Sequence, residues 1–472
     1  MIIFLIKIIL AYIQVFVLPG LILLLRLRLN IKKLQFVIFC FASSLIINHF
    51  IVIAFAAFNI FTYPVILTVV IIENVAILYF FVSKNNQKKR IDKFEYSENL
   101  DIEKNNRINS FLIYRIFEIA TWLICAVVFI LFIKILLDNI GTPYELVDDR
   151  LTWYPWALKF LKNDLSGGFG YYPLLIPTNS AMVYLLTGST SQFLTKQYMA
   201  VFSIILLLTQ LDLALKNKKI GYYWVIIVTG FAILKYAKVY IASGYVDLPV
   251  AFFSFLSIYC LIAKPQNWRM ILIGAFFAVG AGLTKQSGLV VIIVYPVLIY
   301  LLILRAYPKN RGKIFAASMF ILLLVSPYYI YKKVRVELGM SPSYIKYLTS
   351  EIHVDKSICA ECGESPCRRC TERLKQYYLN SQIKVKLGYI FDIALVGFFV
   401  TILLNVMSSS YRWILFFVTI PSILIWCLYF SYDIRNLFPS FPFIGLASGV
   451  GINIGLKYFE RILKQMKPNH NT

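Results

Sequence analysis

Long apolar runs alternate with short, mostly basic segments along this chain. Read as helices of roughly 17–25 residues, the length that crosses a hydrocarbon core, they predict about 13 spans. These fall near residues 3–25, 35–58, 63–83, 114–137, 196–215, 221–241, 246–263, 270–284, 288–304, 314–331, 389–405, 412–430 and 437–455. One apolar piece, Leu174 to Leu186, breaks the pattern. It is too short to cross and holds Pro177, Thr178 and Asn179, so a half-helix is expected there, on the same side as Asp148 and Asp149. Charge supports that choice. With 174–186 not crossing, Arg26, Arg28, Lys32, Lys33, the 84–108 loop, Lys216, Lys218, Lys219, Lys264, Arg269, 305–313, Arg412 and the 457–467 tail all fall on one side. Basic loops face the cytoplasm, which puts the amino terminus and the acidic loop outside. The fold class expected is an all-α polytopic membrane protein with external juxtamembrane helices.

A second pattern follows the acidic pair Asp148-Asp149. Trp153, Trp156, Ala157, Phe160 and Leu161 recur at helical spacing and make one apolar stripe, with Pro155 in the first turn. Such a helix is expected to lie on the membrane surface, aromatic face down, holding the aspartates at the water boundary. The alternative is a loop that tucks its tryptophans into the interface.

Composition adds to this picture. Of 472 residues, 60% are hydrophobic, and the net charge is +24. The charges punctuate apolar runs instead of forming a continuous face, so the partners expected are membrane lipids and not nucleic acid. The segment from Met1 to Leu25 lacks the small-residue cleavage site of a signal peptide and reads as a retained span. Three histidines, His49, His353 and His470, are too scattered for a metal cluster. The chain divides into an amino-terminal three-helix extension with its basic loop (1–112), a membrane core (113–331) with the acidic loop 138–195, an external cysteine-bearing loop (332–388) and carboxyl-terminal spans with a tail (389–472).

Polar residues gather at the outward ends of several spans: Asp148 and Asp149; Lys235, Tyr236 and Lys238; Gly244 to Pro249 with Tyr245 and Asp247; Gly282 to Gly288 with Lys285; and Tyr432 to Pro439 with Arg435. Taken singly, each reads equally as a snorkelling side chain or a capped helix end. Their convergence on one side points to a site.

In order and side these motifs resemble the GT-C superfamily of integral-membrane glycosyltransferases, nearest the branch of protein O-mannosyltransferases and aminoarabinose (lipid A) transferases. The residues that carry the likeness are Asp148 to Leu161, Tyr171-Tyr172-Pro173-Leu174 leading to Leu186-Thr187-Gly188, Tyr245 to Pro249, Thr284-Lys285, and Arg435 followed by Pro439 and Pro442. They extend over roughly 114–455. The chain departs from that pattern in its three extra leading spans and in Asp-Asp where Asp-Glu is usual. Tyr172-Pro173 stands where a lysine-proline-proline is common, and there is no large soluble carboxyl-terminal domain.

The resemblance implies transfer of a sugar from a polyprenyl-phosphate donor to a lipid, glycan or protein acceptor, GT-C-like in fold. The chemistry fits the residue types. A carboxylate takes the acceptor's proton, and cations stabilise the departing phosphate. Asp149, or its neighbour Asp148, is the candidate base. Asp247 orients the acceptor or holds that base. Lys235, Lys238, Lys285 and Arg435 are candidate phosphate contacts, and Tyr172 and Tyr245 candidate substrate contacts. The acidic pair is also a candidate site for a divalent metal. Cys359, Cys362, Cys367 and Cys370 read as two disulfides or a small structural zinc knot. The localisation expected is a bacterial inner (plasma) membrane with the site facing the periplasm. The other reading is a transporter or flippase of a lipid-linked saccharide, for which related halves with broken helices are expected. On the topology above, Ser166→Cys reacts with an impermeant thiol reagent in intact cells beyond the parent chain's own signal. Reaction only after permeabilisation overturns the shared external face.

Overall fold

The computed structural model describes residues 2–29, 31–91, 111–146, 149–165, 172–263, 267–302, 311–337, 411–425 and 434–465. Among these the protein is all-α: helices and short turns, with no strand. Seven helical stretches are long and apolar enough to cross a bilayer: Ile2–Leu27, Lys33–Ala57, Tyr63–Phe80, Arg115–Asp138, Phe193–Asn217, Arg311–Val334 and Arg435–Phe459. Five more apolar helices are shorter: Ile220–Tyr236, Asp247–Ala263, Trp268–Thr284, Gln286–Leu302 and Leu415–Leu424. The expected span at 389–405 and the cysteine group Cys359, Cys362, Cys367 and Cys370 lie outside the described residues.

In chain order the helices are α1 (Ile2–Phe16), α2 (Leu18–Leu27), α3 (Lys33–Ala57), α4 (Tyr63–Ile91), α5 (Phe111–Asp138), α6 (Tyr154–Leu161), α7 (Leu175–Thr187), α8 (Phe193–Asn217) and α9 (Ile220–Tyr236). They continue as α10 (Asp247–Ala263), α11 (Trp268–Thr284), α12 (Leu289–Leu302), α13 (Arg311–Leu322), α14 (Ser326–Glu337), α15 (Tyr411–Ile414), α16 (Ile420–Ile425) and α17 (Phe441–Gln465). The hydrophobic pattern explains their exposure. α10 and α11 are apolar on every face and are buried along almost their whole length, the signature of a helix ringed by other helices. α4 and α5 keep long apolar side chains exposed, Ile72, Leu78, Leu123 and Ile130 among them, as lipid-facing helices do.

The half-helix expected near 174–186 is α7. Its 13 residues rise about 20 Å, short of the roughly 30 Å hydrocarbon core. Nearly every side chain on it is buried, against α1, α3, α6 and α8. Its polar residues are matched locally: Thr178 Oγ1 bonds His49 Nδ1 at 2.9 Å, Asn179 Nδ2 donates to the Leu45 carbonyl at 3.0 Å, and Ser180 pairs with the Tyr198 hydroxyl at 2.6 Å. The aromatic stripe also forms a helix, α6, but it does not lie against open lipid. Trp153, Trp156, Ala157 and Phe160 are buried, and α6 packs on α7. The stripe marks an apolar face, and α7 supplies the surface that covers it.

α9, α10 and α11 are each 17 residues long, about 25 Å by helical rise. Each has one terminus at a polar turn at the end of the bundle that carries Asp149: the end of α9, the start of α10 and the end of α11. At the opposite end, α3, α8 and α10 are joined by a buried network. Lys216 Nζ contacts Asp212 Oδ2 at 2.6 Å and the Tyr259 hydroxyl at 2.6 Å, Tyr259 donates to Asp212, and Gln35 Nε2 reaches Tyr259 at 2.8 Å. Removing one charge strands the other in an apolar setting. Asp212→Ala therefore lowers stability by about 3–5 kcal/mol, and Tyr259→Phe, which removes one neutral donor, by about 1 kcal/mol. Thermal unfolding in detergent micelles measures both, and equal small losses contradict the network.

Candidate active site

The polar helix ends meet at one end of the bundle. Asp149 opens a π-helical turn, Asp149–Trp153, that leads into α6, and its side chain is fully buried. The loop ahead of it is held by the start of α8. Lys196, itself buried, donates to Thr142 Oγ1 (2.7 Å), the Pro143 carbonyl (2.8 Å) and Glu145 Oε1 (3.2 Å). Gln192 Oε1 accepts from the Tyr144 N–H at 3.1 Å, and the Tyr144 hydroxyl bonds Thr195 Oγ1 at 2.8 Å. Burial, reinforced by neighbouring Tyr184 and Tyr198 and more weakly by Asp149, pushes the Tyr144 phenol well above its usual pKa, although its bond to Thr195 acts the other way. It stays a neutral hydrogen-bonding group at physiological pH.

Asp149 faces the turn between α9 and α10. A Cβ on Gly244 would stand 2.9 Å from Asp149 Oδ1 and 2.9 Å from Tyr144 Cε1, so only glycine lets this backbone approach the carboxylate. Three residues on, Asp247 starts α10, where the helix dipole favours a carboxylate and Pro249 fits the first turn. Asp247 is buried, and its Oδ1 lies 2.5 Å from Lys285 Nζ. Lys285 is extended backbone at the end of α11. The chain then doubles back through Gln286–Gly288, where a Cβ on Gly288 would collide with the Ala281 carbonyl. That reversal aims the lysine across the end of α10. Its ammonium also donates to Asn436 Oδ1 at 3.2 Å and sits 5.9 Å from the centre of the Tyr172 ring.

Arg435 occupies the short 3₁₀ segment Ile434–Ser440 ahead of α17. Its guanidinium carbon lies 4.5 Å from the Tyr245 ring centre and 5.6 Å from that of Tyr240, and the two rings meet edge to face. Phe438 packs against Tyr240 with ring centres 5.8 Å apart, which supports the platform. Aromatic faces stabilise a guanidinium while leaving its N–H edges directed outward.

The structure thus brings together Asp149, Asp247, Lys285, Arg435, Tyr172 and Tyr245 from segments far apart in sequence. Lys235 and Lys238 stand apart from the cluster. Both are exposed, and the Lys235 ammonium lies 5.2 Å from the Tyr236 ring centre. Asp148 lies outside the described residues. Asn436, Tyr240 and Lys196 carry no sequence signal of their own. Asn436 follows Arg435 and Tyr240 follows Lys238, but neither spacing shows what it touches. Among the described residues no three His, Cys, Asp or Glu side chains gather as a metal site.

Chemically, the arrangement offers a buried carboxylate, Asp149, and two cations, Lys285 and Arg435, at one end of an apolar bundle. Such groups can accept a proton and hold an anion. Comparison of the chain with family models, with curated proteins and with solved structures gives no match. Lys285→Met leaves Asp247 buried without its cation and costs about 3–5 kcal/mol. The double change Lys285→Met with Asp247→Leu recovers much of that loss. Thermal unfolding of the single and double variants measures the coupling, and additive losses disprove it.

Proposed function

We propose that this chain is a membrane glycosyltransferase of GT-C type, transferring a sugar from a polyprenyl-phosphate donor to a lipid, glycan or protein acceptor at the outer face. One observation carries the reading: a buried carboxylate, Asp149, faces Gly244 in the turn that leads to Asp247, Asp247 pairs with Lys285 and Lys285 with Asn436, and Arg435 lies on Tyr245 of the same turn. Cations at a membrane-embedded helix end are stabilised by an anionic headgroup. A lipid-linked phosphate supplies one.

In the step proposed, the acceptor hydroxyl oxygen attacks the anomeric carbon of the donor sugar. Asp149 takes the hydroxyl proton as the new C–O bond forms. The bond from the anomeric carbon to the phosphate oxygen breaks, and the lipid phosphate leaves with that electron pair. Lys285 and Arg435 stabilise the charge developing on the leaving oxygens, Arg435 through its planar fork. Asp247 fixes the Lys285 ammonium, and exposed Lys235 and Lys238 draw the headgroup in from the bilayer surface. The seven long apolar helices agree with an integral multi-pass protein, and the basic loops favour an outward-facing site.

The test uses purified protein with radiolabelled polyprenyl-phosphate sugars. Asp149→Asn lowers turnover by about 10²–10⁴-fold, the range of a lost general base, while donor binding persists. Arg435→Ala weakens donor binding. Near-normal turnover by Asp149→Asn removes Asp149 from the chemistry.

A further inference from the structure

Trp153 is a buried indole with an unmet donor. The residue is 4% exposed, and its Nε1–H has no hydrogen-bond acceptor among the described residues. Leaving such a donor unpaired in an apolar setting is unfavourable, and buried tryptophans ordinarily find a partner. Trp153 also closes the π-helical turn that Asp149 opens, so it stands one turn from the candidate base.

Its surroundings are aromatic. The Trp153 ring lies 5.2 Å from Trp156, nearly perpendicular at 83°, and 5.1 Å from Tyr172. Tyr172 in turn faces the Lys285 ammonium. A line of contacts therefore runs from the Lys285 ammonium, over Tyr172, to the Trp153 ring in the turn that Asp149 opens. A pyranose ring has apolar C–H faces and a rim of hydroxyls, which matches aromatic walls with one fixed donor.

We infer that Trp153, Tyr172 and Trp156 form the subsite for the transferred sugar, with the Trp153 Nε1–H donating to one of its hydroxyl oxygens. The inference rests on the glycosyltransferase reading and adds to it the residues that recognise the sugar as distinct from the lipid phosphate. Trp153 is then a substrate contact whose removal alters the preference between sugar-bearing and bare lipid phosphate.

Full-length protein in nanodiscs is titrated with undecaprenyl phosphate and with undecaprenyl phosphates bearing glucose, galactose, mannose or 4-aminoarabinose. The expected result is that wild type binds at least one sugar-bearing lipid more tightly than the bare lipid phosphate. Trp153→Phe keeps the aromatic wall but removes the donor, and weakens that lipid by about three- to tenfold, the worth of one hydrogen bond. It leaves affinity for bare undecaprenyl phosphate, which offers no sugar hydroxyl to the indole, unchanged. An unchanged preference in Trp153→Phe overturns the inference while leaving the wider reading intact. So does equal wild-type binding of all five lipids, which decides the matter even where Trp153→Phe does not fold. Absence of binding by any of the five overturns the glycosyltransferase reading itself, and the subsite with it.

Discussion

The ion pair between Lys285 and Asp247 is the contact on which this end of the molecule depends. Both groups sit where water is scarce, and a lone charge there costs several kcal/mol. Pairing removes most of that cost and, in doing so, dictates geometry. Asp247 must begin α10, Lys285 must end α11 in an extended conformation, and Asn436 must arrive from the turn before α17 to take another ammonium hydrogen. Three helix ends are thereby locked at one level. Arg435, the next residue back from Asn436, is delivered onto Tyr245 and Tyr240 by the same lock.

α9, α10 and α11, at 17 residues each, are shorter than the seven longest apolar helices, and each meets a polar turn at the end that carries Asp149. α6 packs on α7 beside them. α7 is buried on nearly all sides, and its polar residues find partners on α3 and α8, which makes the leading helices part of the wall behind the site. The opposite end follows the same rule with other residues: Lys216 and Asp212 are tolerated because Tyr259 and Gln35 complete their contacts.

The site divides its labour physically. Lys285 is restrained by a carboxylate, which fixes its position and moderates its charge. Arg435 is packed on the aromatic faces of Tyr245 and Tyr240. The loop before Asp149 is clamped by Gln192, Thr195 and Lys196, and Gly244 comes close to the Asp149 carboxylate. Under the proposed function these are three solutions to one problem, keeping charged groups ready in an apolar protein before a lipid-linked anion arrives.

Much of this was legible in the chain itself. Apolar runs located most of the helices, because backbone polar groups in lipid must be satisfied within each helix; of the 13 crossings expected, seven helices among the described residues are long and apolar enough to cross. The short, proline-bearing piece at Leu174 marked α7, and charged residues at helix ends marked Asp149, Asp247, Lys285 and Arg435, since lipid tolerates charge only where something offsets it. Spacing alone did not tell which of those charges meet. Lys235 and Lys238 carry the same signal as Lys285, yet they remain exposed; among the described residues Lys285 has a carboxylate opposite it and they do not. Nor did the stripe of α6 reveal what covers it: an apolar face looks the same whether lipid or another helix lies against it, and α7 decides. The roles of Asn436, Tyr240 and Lys196 depend on contacts across helices distant in sequence. The sequence determined which residues need a partner; the packing of α3, α8, α10, α11 and the turn before α17 decided which partner each one has.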